Sequence, residues 1–217
     1  MTTKLTIDIV SDVSCPWCIV GFKGLEKALQ NLASNIDATI TWQPFELNPQ
    51  MPKEGQELTE HITQKYGITT EQSKQNKEVL KERGKSVGYE FNYADGGRIY
   101  NTFDAHRLLH WAQSHDKQTE LKLALFDLYF KENGNPSDHQ QLLQTVAKVG
   151  LNTEEAQEIL ESDKYVSDVR AKQQHYQSAG VNSVPAVIIN NKHLISGGQP
   201  AELFEQALTQ IATNSVS

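Results

Sequence analysis

The sequence predicts an α/β fold in which strands and helices at the two ends of the chain form one framework, with a long all-helical block inserted between them. Three observations predict it. Apolar residues alternate with polar ones at residues 5–10 and 38–45, and strand-like runs return at 184–195. From about Glu57 to Tyr176 the apolar spacing is instead helical. The chain's only two cysteines, in the run Ser14-Cys15-Pro16-Trp17-Cys18, stand where the first strand pattern gives way to the first helix pattern.

Taken in order, Leu5, Ile7 and Ile9 share one face of a short strand that points at the cysteines. Beyond them, Phe22, Leu25, Leu29 and Leu32 fall on one helical stripe, although Gly21 and Gly24 weaken the local propensity. Ala38 to Phe45 is a second strand, with Ile40 and Trp42 alternating with polar residues until Pro44 is expected to interrupt the ladder. Strand, helix and strand then make a βαβ unit.

Phe45 to Pro52 carries two further prolines, Pro49 and Pro52, and reads as a loop leaving the sheet. The helical block follows. Ile99, Phe103, Leu108 and Leu109, then Leu121, Leu125, Leu128 and Tyr129, supply its apolar faces, and Asp95-Gly96-Gly97, Asn133-Gly134-Asn135-Pro136 and Val149-Gly150 punctuate it. Val184 to Ile189, Asn190-Asn191-Lys192 and His193 to Ile195 read as a hairpin. Gly197-Gly198-Gln199-Pro200 then opens a closing helix containing Leu203, Phe204, Ala207 and Leu208. The framework is therefore residues 1–50 and 177–217, and the insertion is 51–176.

Composition narrows the function. With 217 residues, 38% hydrophobic and 22% charged, the chain is long enough to bury a sizeable core and too apolar for a disordered class. A net charge of −7 disfavours a phosphate-backbone binding surface, so nucleic acid is not an expected partner. No stretch approaches the ~20 apolar residues needed to span a bilayer, and even Leu121 to Phe130 is interrupted by Lys122 and Asp127. Residues 1–10 lack the apolar region of an export signal, so a cytoplasmic location is expected. In that reducing compartment a Cys-x-x-Cys pair is more often redox-active or metal-binding than a structural staple.

The chemistry expected of the pair follows from its place. A helix N-terminus offers unpaired N–H groups and the positive end of the macrodipole to the first sulfur, which favours thiolate and marks Cys15 as the nucleophile. Two intervening residues keep Cys18 within reach, so a disulfide formed at Cys15 can be resolved internally. Pro16 suits the first helical position. A structural zinc site needs four ligands and there is no second cysteine pair, although histidines could complete an unusual one. An inert thiol pair or structural disulfide is the other plain alternative.

The run Ser11 to Cys18, together with Pro44-Phe45-Glu46-Leu47-Asn48-Pro49, Ala105-His106-Arg107-Leu108-Leu109, Ser196-Gly197-Gly198-Gln199-Pro200 and the Val184-Pro185 pair before the hairpin, resembles the DsbA-like branch of the thioredoxin superfamily, and more particularly its cytoplasmic FrnE-like group. The resemblance spans nearly the whole chain. It implies a thioredoxin fold with a large all-helical insertion and a redox-active dithiol. It also implies a cis Val184–Pro185 bond opposite the cysteines, where the residues alone would suggest an ordinary trans proline starting a strand. Such a bond would turn the backbone of Val184 toward the site, where an extended substrate could pair with it as an added strand.

Other residues carry two readings each. Trp17 is either a flat apolar contact for substrate or core packing. Asp12 is either a proton shuttle or a capping carboxylate, and its charge would oppose a nearby thiolate. His106 is a site histidine if it faces the cysteines, and otherwise a structural helix residue. Gly198 and Gln199, at a helix start, either receive a peptide or glutathione carboxylate or simply form a turn. The 2-hydroxychromene-2-carboxylate isomerases and kappa-class glutathione transferases, related by resemblance, usually carry serine where this chain has Cys15.

The leading expectation is a thiol–disulfide oxidoreductase acting on protein or small-molecule disulfides or dithiols, with no tightly bound cofactor and no metal, and with glutathione as a candidate cosubstrate. The alternatives are a glutathione-dependent isomerase or transferase acting on a small electrophile, and a redox-regulated polypeptide-binding module.

Overall fold

The computed structural model of the protein describes residues 2–214. The framework begins with β1 (Thr3–Ser11), α1 (Pro16–Asn31) and β2 (Ile36–Pro44). The insertion carries β3 (Gln56–Glu57), α2 (Leu58–Tyr66), α3 (Thr70–Ser86), β4 (Arg98–Ile99), α4 (Phe103–Gln113), α5 (Gln118–Phe130), α6 (His139–Lys148), α7 (Thr153–Leu160) and α8 (Val166–Ser178). The chain then returns through β5 (Ala186–Ile189), β6 (His193–Ser196) and α9 (Ala201–Asn214).

The main sheet has the order β2-β1-β5-β6, with β1 parallel to β2 and antiparallel to β5. Strand β1 lies between β2 and β5, with its Leu5, Ile7 and Ile9 face buried throughout and its other face buried only at the C-terminal end, Lys4 and Thr6 being exposed. Leu5, Ile7 and Ile9 join the cluster built by α1 and α9, whereas Val10 packs on the other face with Val181 and Ala186. The DsbA-like thioredoxin fold expected from the sequence is thus the observed one, a mixed sheet with a helical insertion.

Pro44 does not interrupt the β1–β2 ladder, which runs through the pair Ser11 and Pro44. The reason is geometric. The Phe45 N–H bonds back to Ser11 at 3.3 Å, while the Trp42 N–H points away from the sheet to the Gln118 side chain at 2.8 Å. Position 44 shares Trp42's outward direction on this edge strand, so its missing donor removes no ladder bond.

The insertion is not purely helical, because β3 and β4 pair antiparallel over two residues each. A ladder that short leaves no period in the sequence. Its close approach requires Gly55, whose φ is +67° and where a Cβ would stand 2.2 Å from the Ile99 carbonyl oxygen. The buried side chains do not divide at residues 50 and 176. Phe126 and Phe130 of α5 pack with Phe22 and Trp42 of the framework, and Val13 packs with Leu108, Leu121 and Leu125.

Gly21 and Gly24 weaken α1 as a helix but let the 197–200 segment lie on it. A Cβ at Gly24 would stand 2.6 Å from the Gln199 carbonyl oxygen, and one at Gly21 would stand 3.1 Å from the Gly198 Cα. In the β5–β6 hairpin, Asn190 and Asn191 both take φ of 52°, the left-handed region that asparagine tolerates best after glycine. Among the described residues no helix is long and apolar enough to cross a membrane.

Candidate active site

Cys15 is the N-cap residue of α1, with Pro16 at the start of the helix, and Cys18 lies one turn in, where its N–H bonds to the Cys15 carbonyl at 3.1 Å. Both are free thiols. Both are buried, Cys15 keeping 4% exposure and Cys18 none. The Cys15 Sγ lies 3.7 Å from the Val184 carbonyl oxygen, and the Val184–Pro185 bond that follows is cis. The strand-to-helix turn and the turn before β5 therefore meet, although 169 residues separate them.

The two thiols share their protons. The hydrogen bond with Cys18, then burial and the charge of its neighbour, push the Cys15 thiol well up. For Cys18 burial is the largest influence and opposes ionisation, but the Cys15 hydrogen bond, the Lys122 ammonium and the Ser11 hydroxyl outweigh it and hold the thiol below its usual range. Within the pair Cys18 is the thiol eased toward ionisation and Cys15 the one held back, and the hydrogen bond between the two is the largest influence raising the one and lowering the other.

Asp12 is 1% exposed beneath this turn. Its carboxylate accepts from the Leu47 N–H at 2.7 Å and the Ser14 hydroxyl at 3.2 Å, and its Oδ1 lies 3.3 Å from His106 Nε2. Burial raises its pKa most, but His106, Leu47 and Thr102 together keep it below the usual carboxylate range. Three of the separated sequence segments thus converge, as 11–18 supplies Asp12, 44–49 supplies the Leu47 N–H and 105–109 supplies His106. The fourth, 196–200, lies along α1.

That convergence fits a family relationship. The DSBA-like thioredoxin domain family matches residues 6–209. The chain belongs to this family. A probable DsbA oxidoreductase from Streptomyces coelicolor is 31% identical, with a TM-score of 0.90 over 97% of this chain and 90% of that one. The uncharacterised Bacillus subtilis protein YwbO is 27% identical over 94% of this chain and 95% of its own length. A 2-hydroxychromene-2-carboxylate isomerase and the cytosolic disulfide reductase DsbM of Pseudomonas aeruginosa, solved with GSH, share the fold alone. The isomerase is 13% identical with a TM-score of 0.71, covering 97% of this chain and 98% of that one. DsbM is 15% identical with a TM-score of 0.64, covering 95% and 98%.

Within this DSBA-like domain the remaining candidates fall as follows. Trp17 is 37% exposed beside Cys15, and a Cβ at Gly198 would lie 3.2 Å from its ring, so the indole leans on the 197–200 turn. Gly198 and Gln199 precede α9 rather than starting it, and the Gln199 amide donates to the Ser196 carbonyl at 2.8 Å. They line a groove of about 500 Å³ together with Lys23, Lys27 and Arg83. His106 reaches the site through Asp12, and among the described residues no hydrogen bond joins it to either sulfur.

Two residues near the sulfurs escape a sequence reading. Lys122 is 1% exposed and acts electrostatically on Cys18, Asp12 and Cys15. The only signal for it was a cation inside an apolar helical run, which reads more simply as an exposed face. Tyr93 has a buried hydroxyl without a hydrogen-bond partner among the described residues, pushed up by burial and then by the Cys15 charge.

Proposed function

We propose that the protein is a dithiol/disulfide oxidoreductase in which Cys15 is the attacking sulfur and Cys18 the resolving one. The observation that carries this reading is the Cys15 Sγ facing the Val184 carbonyl at the start of α1, with Cys18 fully enclosed one turn behind it. Of the two residues only Cys15 keeps any exposure, which favours it as the one a substrate meets. The proton held between the two passes to Cys18, and the Cys15 thiolate attacks a substrate disulfide, forming a mixed disulfide and expelling one substrate thiolate. Cys18 then loses its proton and attacks Cys15 Sγ, releasing the second substrate sulfur. Two electrons move from the cysteine pair to the substrate; the one proton of the pair ends on a released sulfur, and the other released thiolate takes its proton from solvent. The reverse sequence oxidises a substrate dithiol.

Val184 offers main-chain groups and Trp17 an apolar surface, so an extended peptide gains affinity with little sequence selectivity. Pro16 shapes the helix start that presents Cys15, and Pro185 places Val184. Kinship in fold with a cytosolic disulfide reductase supports placing the activity in the cytoplasm.

Cys18→Ser should trap a disulfide-linked partner on Cys15, and Cys15→Ser should abolish exchange. Retained exchange in Cys15→Ser would sink the assignment.

The groove beside Gly198 and Gln199 supports glutathione as a second thiol, with Lys27 and Arg83 as the candidate partners of its carboxylates, since Lys23 is paired with Glu26 at 2.8 Å. The rival reading, a glutathione-dependent isomerase or transferase, gains support if Cys18→Ser turns over an aromatic electrophile with saturable glutathione dependence. Loss of that turnover together with exchange in Cys15→Ser favours the dithiol enzyme.

A further inference from the structure

With Cys15 4% exposed, a bulky disulfide gains little access to it until a neighbouring element moves. The neighbours differ in what moving them would break. α1 buries eight residues, and the turn before it holds Ser11, Asp12 and Val13 at 1% exposure or less. β5, which follows Val184-Pro185, is paired on both sides. Among the described residues α2 is the one helix that buries none of its own residues, so lifting it forfeits little apolar burial.

Polar contacts fasten the outer half of α2. Lys65 Nζ donates to the Leu47 carbonyl at 2.8 Å and to Asn48 Oδ1 at 2.7 Å, and His61 Nε2 lies 3.0 Å from the same Asn48 oxygen. At the base, the Leu58 N–H bonds to the Gly97 carbonyl at 2.8 Å, beside the β3–β4 pair. The tip is open. Gly67 ends the helix with φ of +64°, and nothing lies within 4 Å of where its Cβ would stand. α3 beyond it buries only Ser73 and Gly84 and is tied to α2 by Lys77 Nζ, which donates to Thr59 Oγ1 at 3.2 Å.

The loop that these contacts grip lies on the cysteine turn. Leu47 packs on the cluster that contains Cys15 and Cys18, and its N–H donates to Asp12 Oδ2 at 2.7 Å. The Asp12 carbonyl in turn accepts from the Cys15 N–H at 3.3 Å. Hydrogen bonds therefore lead from Lys65 to the Cys15 backbone through two residues. The Tyr66 phenol, pushed up by burial and then by the Cys15 charge, agrees with a place for the tip of α2 beside that sulfur.

We propose that α2 is a lid over the cysteine turn, latched by Lys65 on residues 47 and 48, and that its lifting decides how large a disulfide Cys15 admits. The inference rests on the dithiol reading above. Latched, the site takes small disulfides; with α2 swung on its β3–β4 base and on Gly67, the turn is open to an extended polypeptide. Lys65 acts through Leu47 and Asn48 and is a positioning residue.

Hydrogen exchange on the unmodified chain should show the Ile62 to Tyr66 amides protected about tenfold less, or weaker still, than those of Ile19 to Leu25 in α1. Equal protection overturns the proposal. In Cys18→Ser, where Cys15 is the sole thiol, N-ethylmaleimide and a polyethylene-glycol maleimide report access for a small and a bulky reagent of the same chemistry. The ratio of their rates cancels any change in thiolate fraction. Lys65→Met should raise the bulky rate relative to the small one about threefold, and Lys65→Arg should return it. An unmoved ratio overturns the proposal, because the helix then lifts without uncovering Cys15. Should Lys65→Met fail to fold, the exchange measurement on the unmodified chain decides. A gated Cys15 in a protein that exchanges no disulfides would sustain the lid and sink the oxidoreductase reading, whereas disulfide exchange without gating would do the reverse.

Discussion

His106 Nε2 lies 3.3 Å from Asp12 Oδ1, and the two side chains are 2% and 1% exposed. The pair joins the insertion to the framework directly beneath the cysteine turn. Removing the imidazole in His106→Ala leaves a buried carboxylate short of a partner, which should cost about 2 kcal/mol or more. Urea unfolding would show it as a lower midpoint, and an unchanged midpoint would mean that the pair contributes nothing.

The same carboxylate gives a pH dependence. Asp12 is held below its usual pKa, so the unfolded chain binds its proton at higher pH than the folded one does. Its contribution is present above about pH 4 and is lost as pH falls through the folded value. Asp12→Asn should therefore flatten the acid limb of stability against pH, measured by thermal melting across that range.

Gly24→Ala should destabilise, against helix propensity. In a free helix the change gains up to about 1 kcal/mol. Here the new Cβ would stand 2.6 Å from the Gln199 carbonyl oxygen, a backbone atom, so the 197–200 segment must move off α1. A net loss of about 1–3 kcal/mol is expected. A variant more stable than the parent would show that the contact yields freely.

Arg107 is 3% exposed and donates to the Lys164 carbonyl at 2.9 Å, to Asp104 at 2.9 Å, and to the Ile159 and Ser162 carbonyls at the end of α7. Arg107→Lys keeps the charge but cannot span these acceptors. Chemical denaturation should place it about 2–4 kcal/mol below the parent.

Trp17→Ala should leave stability within about 1 kcal/mol, because the ring is partly exposed, yet raise KM for peptide disulfides more than for a small-molecule disulfide. Equal effects on both substrates would return Trp17 to a packing role.

Much of this arrangement was legible in the chain. The alternation of Leu5, Ile7 and Ile9, the stripe of Phe22 and Leu25, and the break at the cysteines describe contacts within a few residues, and such periods survive into the fold. Pro44 and the Gly55 turn were misread or missed because their meaning depends on which side of a strand faces a neighbour. Gly21 and Gly24 look like weaknesses until the segment 197–200 lies against them.

By itself, then, the sequence determined the order of elements, the redox-type spacing of Cys15 and Cys18 and the presence of Val184-Pro185. These are local properties of dihedral preference and side-chain period. Only the tertiary structure decided what surrounds the two sulfurs. Lys122, 104 positions beyond Cys18 in the chain, is one of the groups that ease Cys18 toward ionisation, and it is buried because α5 packs against β2 and α1. Charge interactions act through space in a low-dielectric interior, and their sign at a buried thiol is set by whatever the fold brings near.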